Sequence, residues 1–247
     1  MRALVAVMLL TSGIARADSN DLVGRALVLG RGELEAHLTV AMNLRSGRFA
    51  EPASISPDVW FGVTPKLTVG LVHSARSVDE IAADRPVCVN GCDADYAGGI
   101  DVRYGVHRLV TPRARVLLRD VDPVKPAITL GALARWTRGR FAIASDPYVR
   151  LGLANRERGN RAALVVPVFL AVQPTCKWML GVRAGYDSSL AVARDGWRGP
   201  VGWFAGVHPI EPLEVVVEYA YRSLIGPQHE YRERILMITV GWHQRIR

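Results

Sequence analysis

Apolar and polar residues alternate with a period of two along most of this chain, the signature of strands with one buried and one wet face. Leu34, Ala36, Leu38, Val40 and Met42 alternate with Glu33, Glu35, His37, Thr39 and Asn43. Leu67, Val69 and Leu71 do so with Thr68 and Gly70. Farther on, Trp178, Leu180, Val182, Ala184 and Tyr186 alternate with Lys177, Met179, Gly181, Arg183 and Gly185. Leu213, Val215, Val217, Tyr219 and Tyr221 alternate with Glu214, Val216, Glu218, Ala220 and Arg222. No stripe of helical period competes. The pattern predicts an all-β chain of about twelve strands, at 33–44, 57–63, 66–74, 98–107, 113–121, 125–136, 140–153, 161–172, 176–187, 200–208, 212–222 and 232–243.

The connections sort into two kinds. Tight turns are expected at Thr64-Pro65, Thr137 to Gly139, Gln173 to Thr175 and Pro209 to Glu211, and longer polar loops at 45–56, 75–97, 154–160, 188–199 and 223–231. The short join at 122–124 breaks the alternation of lengths. Tight turns on one side and long loops on the other describe an up-and-down antiparallel meander with both termini on the tight-turn side. Several strands are longer than the five or six residues common in soluble sheets and long enough to cross a bilayer at a tilt.

The two faces differ in content. One parity carries Glu33, Glu35, His37, Asp101, Arg103, Arg113, Arg115, Arg119, Arg135, Asp146, Arg150, Arg183, Glu214, Glu218 and Arg222, together with many of the strand glycines. The other is aliphatic with aromatics. On it, Phe61, Tyr104, Trp136, Phe141, Trp178 and Trp242 are expected near the tight turns, and Tyr186, Trp203, Tyr219 and Tyr221 toward the loops. Two aromatic levels flanking an aliphatic band are the girdles of a membrane-spanning barrel. A secreted soluble β-protein is the competing reading. It would turn the aliphatic face inward, and about twelve such strands would then enclose a large dry void.

Composition and charge narrow the picture. The chain has 247 residues, 49% of them hydrophobic and 22% charged, which suits a single folded domain and excludes disorder by composition. The formal net charge is +8, and Lys66, Lys125 and Lys177 are the only lysines among 31 basic residues. The arginines are scattered through apolar segments, so there is no basic tail or patch to suggest nucleic acid. At the N-terminus, Arg2, the apolar run Ala3 to Leu10 and the small residues ending Ala15-Arg16-Ala17 read as a signal peptide over 1–17, removed before Asp18. The mature chain, 18–247, is then expected to be one barrel domain. No later run is apolar for long enough to form a transmembrane helix.

With signal peptide and meander taken together, the mature chain resembles the outer-membrane β-barrel proteins of Gram-negative bacteria. The resemblance lies in segments such as Val63-Thr-Pro-Lys-Leu-Thr-Val-Gly70, Gln173-Pro-Thr-Cys-Lys-Trp178 and Arg234-Ile-Leu-Met-Ile-Thr-Val-Gly-Trp242. It is a class pattern and names no solute. It implies a lipid bilayer as surroundings and insertion by the outer-membrane assembly machinery. In the class that machinery usually reads a final strand ending in an aromatic residue. Here the chain runs on to Arg247, and Trp242 would take that part.

Candidate chemistry centres on the charged parity. Facing basic and acidic walls would select among small ions or polar solutes, with the arginine surplus favouring anions. The same groups, paired across a narrow barrel, would instead plug it and leave a structural or surface-interaction role for loops 75–97 and 188–199. Barrels of about eight strands are filled and those of about sixteen are open, so both readings stand. In loop 75–97, Cys88 and Cys92 flank a Val-Asn-Gly turn and are spaced for a small disulfide ring. Asp93 and Asp95 lack the spacing of a calcium loop. No cofactor motif appears. Adjacent on one strand, His73 and Ser74 would point to opposite faces, which disfavours a hydrolase at the membrane rim.

Overall fold

The computed structural model describes residues 23–73, 87–90, 98–192, 194–227 and 229–246. Residues 1–22, and with them the expected signal peptide, lie outside the described residues, as do Cys92 and the side chain of Cys88. Among the described residues the chain forms fourteen strands. They are β1 (Glu33–Arg45), β2 (Arg48–Thr64), β3 (Leu67–Val72), β4 (Val87–Asn90), β5 (Gly98–Tyr104), β6 (Val110–Val121) and β7 (Val124–Arg138), then β8 (Phe141–Ser145), β9 (Tyr148–Gly152), β10 (Ala163–Thr175), β11 (Trp178–Ser189), β12 (Trp197–Ile210), β13 (Leu213–Ile225) and β14 (Glu230–Arg245).

Each strand pairs antiparallel with its neighbours, and β1 pairs with both β2 and β14, which closes the sheet. The short strands β8 and β9 both lie between β7 and β10 and act as one stave, interrupted at Asp146-Pro147. Strand β4 pairs only with the outer part of β2. The result is a closed up-and-down barrel of twelve staves, which leaves no open edge. Tight connections at 65–66, 139–140, 176–177 and 211–212 lie at one end, here the turn end, and loops 153–162 and 190–196 lie at the other, the loop end.

One expected connection is replaced by strand. Residues 45–56 were expected to form a long loop; instead β1 and β2 run on as a hairpin closed at Ser46-Gly47, with Arg45 opposite Arg48. Here the polar and turn-forming residues do not mark a break. The hairpin extends past the aliphatic band, where both faces can be wet and no alternation is required.

The barrel is inverted relative to a soluble one. Leu180, Val182 and Trp203 are about half exposed on the outside, whereas Asp101, Arg115 and Arg183 are almost wholly buried inside. Phe61, Tyr104, Trp136, Phe141, Trp178 and Trp242 are all exposed. Toward the loop end Tyr186 stacks on Trp197 at 5.7 Å. Trp203 and Tyr219 stack at 4.4 Å about midway along β12 and β13, with Tyr221 edge-on to Tyr219. Exposed aliphatic surface of this extent around a whole sheet suits hydrocarbon and not water.

Candidate functional site

The candidate site is the barrel interior, which has three levels. At mid-height, register places Asp101 of β5 opposite Arg115 and Arg103 opposite Arg113. Asp101 is the hub. Arg113 donates to it through Nε at 2.7 Å and Nη2 at 2.9 Å, Arg103 through Nε at 3.0 Å, and the Trp60 indole through Nε1 at 2.8 Å. Arg113 also reaches Asp146 of the β8–β9 break at 2.5 Å. The Arg103 guanidinium lies over the Trp60 ring at 4.7 Å, and that of Arg115 over Tyr148 at 4.6 Å while its Nε donates to Thr129. Over the intervening strand β12, Arg183 of β11 pairs with Glu218 of β13. Charges this deep persist only when paired and hydrogen-bonded. The interior here is lined by these paired and stacked polar side chains.

At the turn end, three strand-borne carboxylates face inward. Glu35 accepts from His37 at 3.0 Å, Glu33 lies 3.8 Å from His243, and Glu214 lies 3.0 Å from Arg25. Arg25 belongs to a segment the alternation does not reveal. Residues 23–32 run as irregular chain across the mouth. Val23 and Leu29 are buried, the Val23 amide donates to Gln173 and the Leu29 amide to Thr68 at 2.9 Å. Gly62 makes the crossing possible, because a Cβ there would come within 1.9 Å of the Gly30 carbonyl. Arg25 also reaches Glu35 at 3.9 Å and His208 at 3.5 Å.

At the loop end, loop 153–162 folds back onto the wall. Asn160, fully buried, donates to the carbonyls of Pro126 and Ala154 at 2.7 Å and accepts from Arg119 at 3.1 Å. Arg198 pairs with Asp187, and Arg222 lies 3.8 Å from Glu233. Arg150 is buried on β9. Arg135 is half-buried on β7 near the turn end.

Sequence reasoning missed Trp60 and segment 23–32. Trp60 shares its parity with Asp58 and Gly62, a usable sign that it faces the charged side. Nothing local marks segment 23–32, since Val23 meets a partner 150 residues away. Among the described residues, no group of three or more His, Cys, Asp or Glu side chains is placed to hold a metal ion.

A closed meander with a charged interior and an aliphatic, aromatic-banded exterior is the fold of the outer-membrane β-barrel class. A solved structure agrees on the fold. A NanC porin superposes with a TM-score of 0.55 at 10% identity, over 83% of this chain and 98% of its own. A bacterial polysaccharide outer-membrane secretin gives 0.47 at 9% identity, over 88% and 99%. The translocator domain of the autotransporter NalP from Neisseria meningitidis gives 0.46 at 11% identity, over 87% and 88%. No family model and no curated protein matches the chain.

Proposed function

We propose that the chain is exported with residues 1–17 as its signal peptide, is inserted by the outer-membrane assembly machinery through the strand ending at Trp242, and acts there as a narrow channel for small hydrophilic solutes, anions preferred. The observation that carries this reading is the inversion of faces, with arginine-rich polar walls inside and aliphatic residues outside. A lumen has use for such walls, because charged linings replace the hydration of a passing solute and set its sign. The turn end faces the periplasm and the loop end the medium, as in the class. The barrel is read as a conduit and not as an enzyme.

Segment 23–32 favours a second reading, a plugged barrel with a structural or surface-interaction role, because it lies across the turn-end mouth. The two readings separate in a planar bilayer under a potassium chloride gradient. The channel reading predicts discrete current steps whose reversal potential is set by chloride. Cation-selective steps would overturn the anion preference, and silence from a folded, heat-modifiable barrel would leave the plugged reading.

A further inference from the structure

The loop-end mouth holds a cavity of about 280 Å³, near the lower bound of the range in which small-molecule sites fall. Its chemistry is one-sided. Arg150, Arg161 and Arg198 line it against a single carboxylate, Asp187, which Arg198 already engages through Nε at 2.7 Å. Arg161 is exposed and has no hydrogen-bonding or ionic partner among the described residues. The Ser189 hydroxyl is buried at the same wall, again with no hydrogen-bond partner among them.

Register explains how these groups converge. Ala163 of β10 lies opposite Arg150 on one side and Ser189 on the other, so the two flank a residue with almost no side chain. Asp187 lies opposite Arg198. Next to Arg161 in sequence, Asn160 is pinned by four polar contacts' worth of partners in Pro126, Ala154, Arg119 and Asn155. The loop that carries Arg161 is thereby held in place.

We propose that this vestibule is a binding site for one small solute bearing a carboxylate or a phosphate monoester, held by the guanidiniums of Arg150, Arg161 and Arg198 and by the Ser189 hydroxyl. Guanidinium forks match the two oxygens of such groups, and Arg161, with no partner among the described residues, supplies the positive charge that favours an anion. The bound group replaces the missing partner of the buried hydroxyl. Asp187 and Ser189 share their parity with interior Arg183, and Tyr186 stands on the outer face, so the site is reached from the lumen and not from the lipid. The inference deepens the channel reading by naming where a solute pauses, and it can be tested without conduction.

The test is calorimetric titration of the full chain, refolded in lipid-free detergent micelles, with glycerol 3-phosphate and, as the neutral control, glycerol. One saturable site per barrel is expected for the phosphate ester and none for glycerol. Exposed Arg161→Ala should weaken binding about ten-fold, the loss of one charge-assisted hydrogen bond, and Ser189→Ala should weaken it less, both in barrels that keep their heat-modifiable shift. Absence of binding by the folded wild type, equal binding of glycerol, or unchanged affinity in Arg161→Ala would overturn the site. Conductance recorded on the same samples separates the two claims. Steps without binding remove the site and leave the channel, and binding without steps removes the channel and leaves the site.

Discussion

The two mouths of this barrel are made of the same residue types and reach opposite solutions. At the turn end the strands contribute carboxylates, Glu33, Glu35 and Glu214, and an irregular segment of the chain lies over them and supplies Arg25 as a counter-charge to Glu35 and Glu214, while His243 lies near Glu33. At the loop end strands and loops contribute arginines, with Asp187 as the one acid among the groups lining the cavity. One mouth is covered and its charge is compensated from within the chain. The other has a cavity in which one guanidinium, that of Arg161, has no partner among the described residues. Between them lies a middle level, the Asp101 hub, in which Arg103 and Arg113 converge on Asp101 and Asp146. The difference teaches that a barrel interior can pair its charges at one level and present an unpaired guanidinium at another, within a single wall.

The strongest way to break the comparison is to unbalance the middle level. Asp101→Ala removes the carboxylate partner of part-buried Arg103 and leaves Arg113 with Asp146 alone, and is expected to cost about 3–5 kcal/mol, read as a lower urea midpoint of the refolded barrel in lipid vesicles. A loss as small as that of a surface substitution would show that the hub is wetter than its burial indicates. Next comes the outer wall. Leu180→Arg sets a charge on the aliphatic band and should cost about 2–4 kcal/mol in the same assay, while the barrel in detergent tolerates it better. At the turn end, Arg25→Ala removes the counter-charge of Glu214 and loosens segment 23–32 by about 1.5–3 kcal/mol. Faster proteolysis near residue 25, with the barrel intact, is the expected sign. The smallest effect belongs to the loop end, where Arg161→Ala should change stability by no more than about 0.5 kcal/mol, because Arg161 is exposed and has no partner among the described residues.

How much of this was legible in the sequence follows from the range over which each feature is encoded. The strands of the aliphatic band are local facts. Leu180, Val182 and Ala184 against Gly181 and Arg183 read correctly because lipid on one side and protein on the other enforce the alternation. The β1–β2 hairpin was misread at 45–56 because it projects beyond the band, where that enforcement stops and residues such as Ser46 and Gly47 look the same at a tight turn as in a long loop. The charged parity was visible, but not which arginine meets which acid. Arg183 finds Glu218 across 35 residues only because β12 sits between their strands. Segment 23–32 lies at the far extreme, since the contacts that seat it, such as Val23 with Gln173 and Leu29 with Thr68, are with distant parts of the chain. Cys176, in the turn between β10 and β11, is exposed and offers a direct check of orientation. A membrane-impermeant thiol reagent should label it only after the outer membrane of the host cell is breached.

The central claim is that the barrel is a narrow anion-preferring channel with segment 23–32 seated in its turn-end mouth. The measurement that tests it most directly is single-channel recording in a planar bilayer of the mature chain beside a variant lacking residues 23–31. The account predicts small anion-selective steps from the mature chain. It predicts larger steps with weaker anion preference from the variant, because removal of Arg25 both widens the mouth and uncovers Glu35 and Glu214. Silence from both proteins, each shown to be a folded and heat-modifiable barrel, would contradict it.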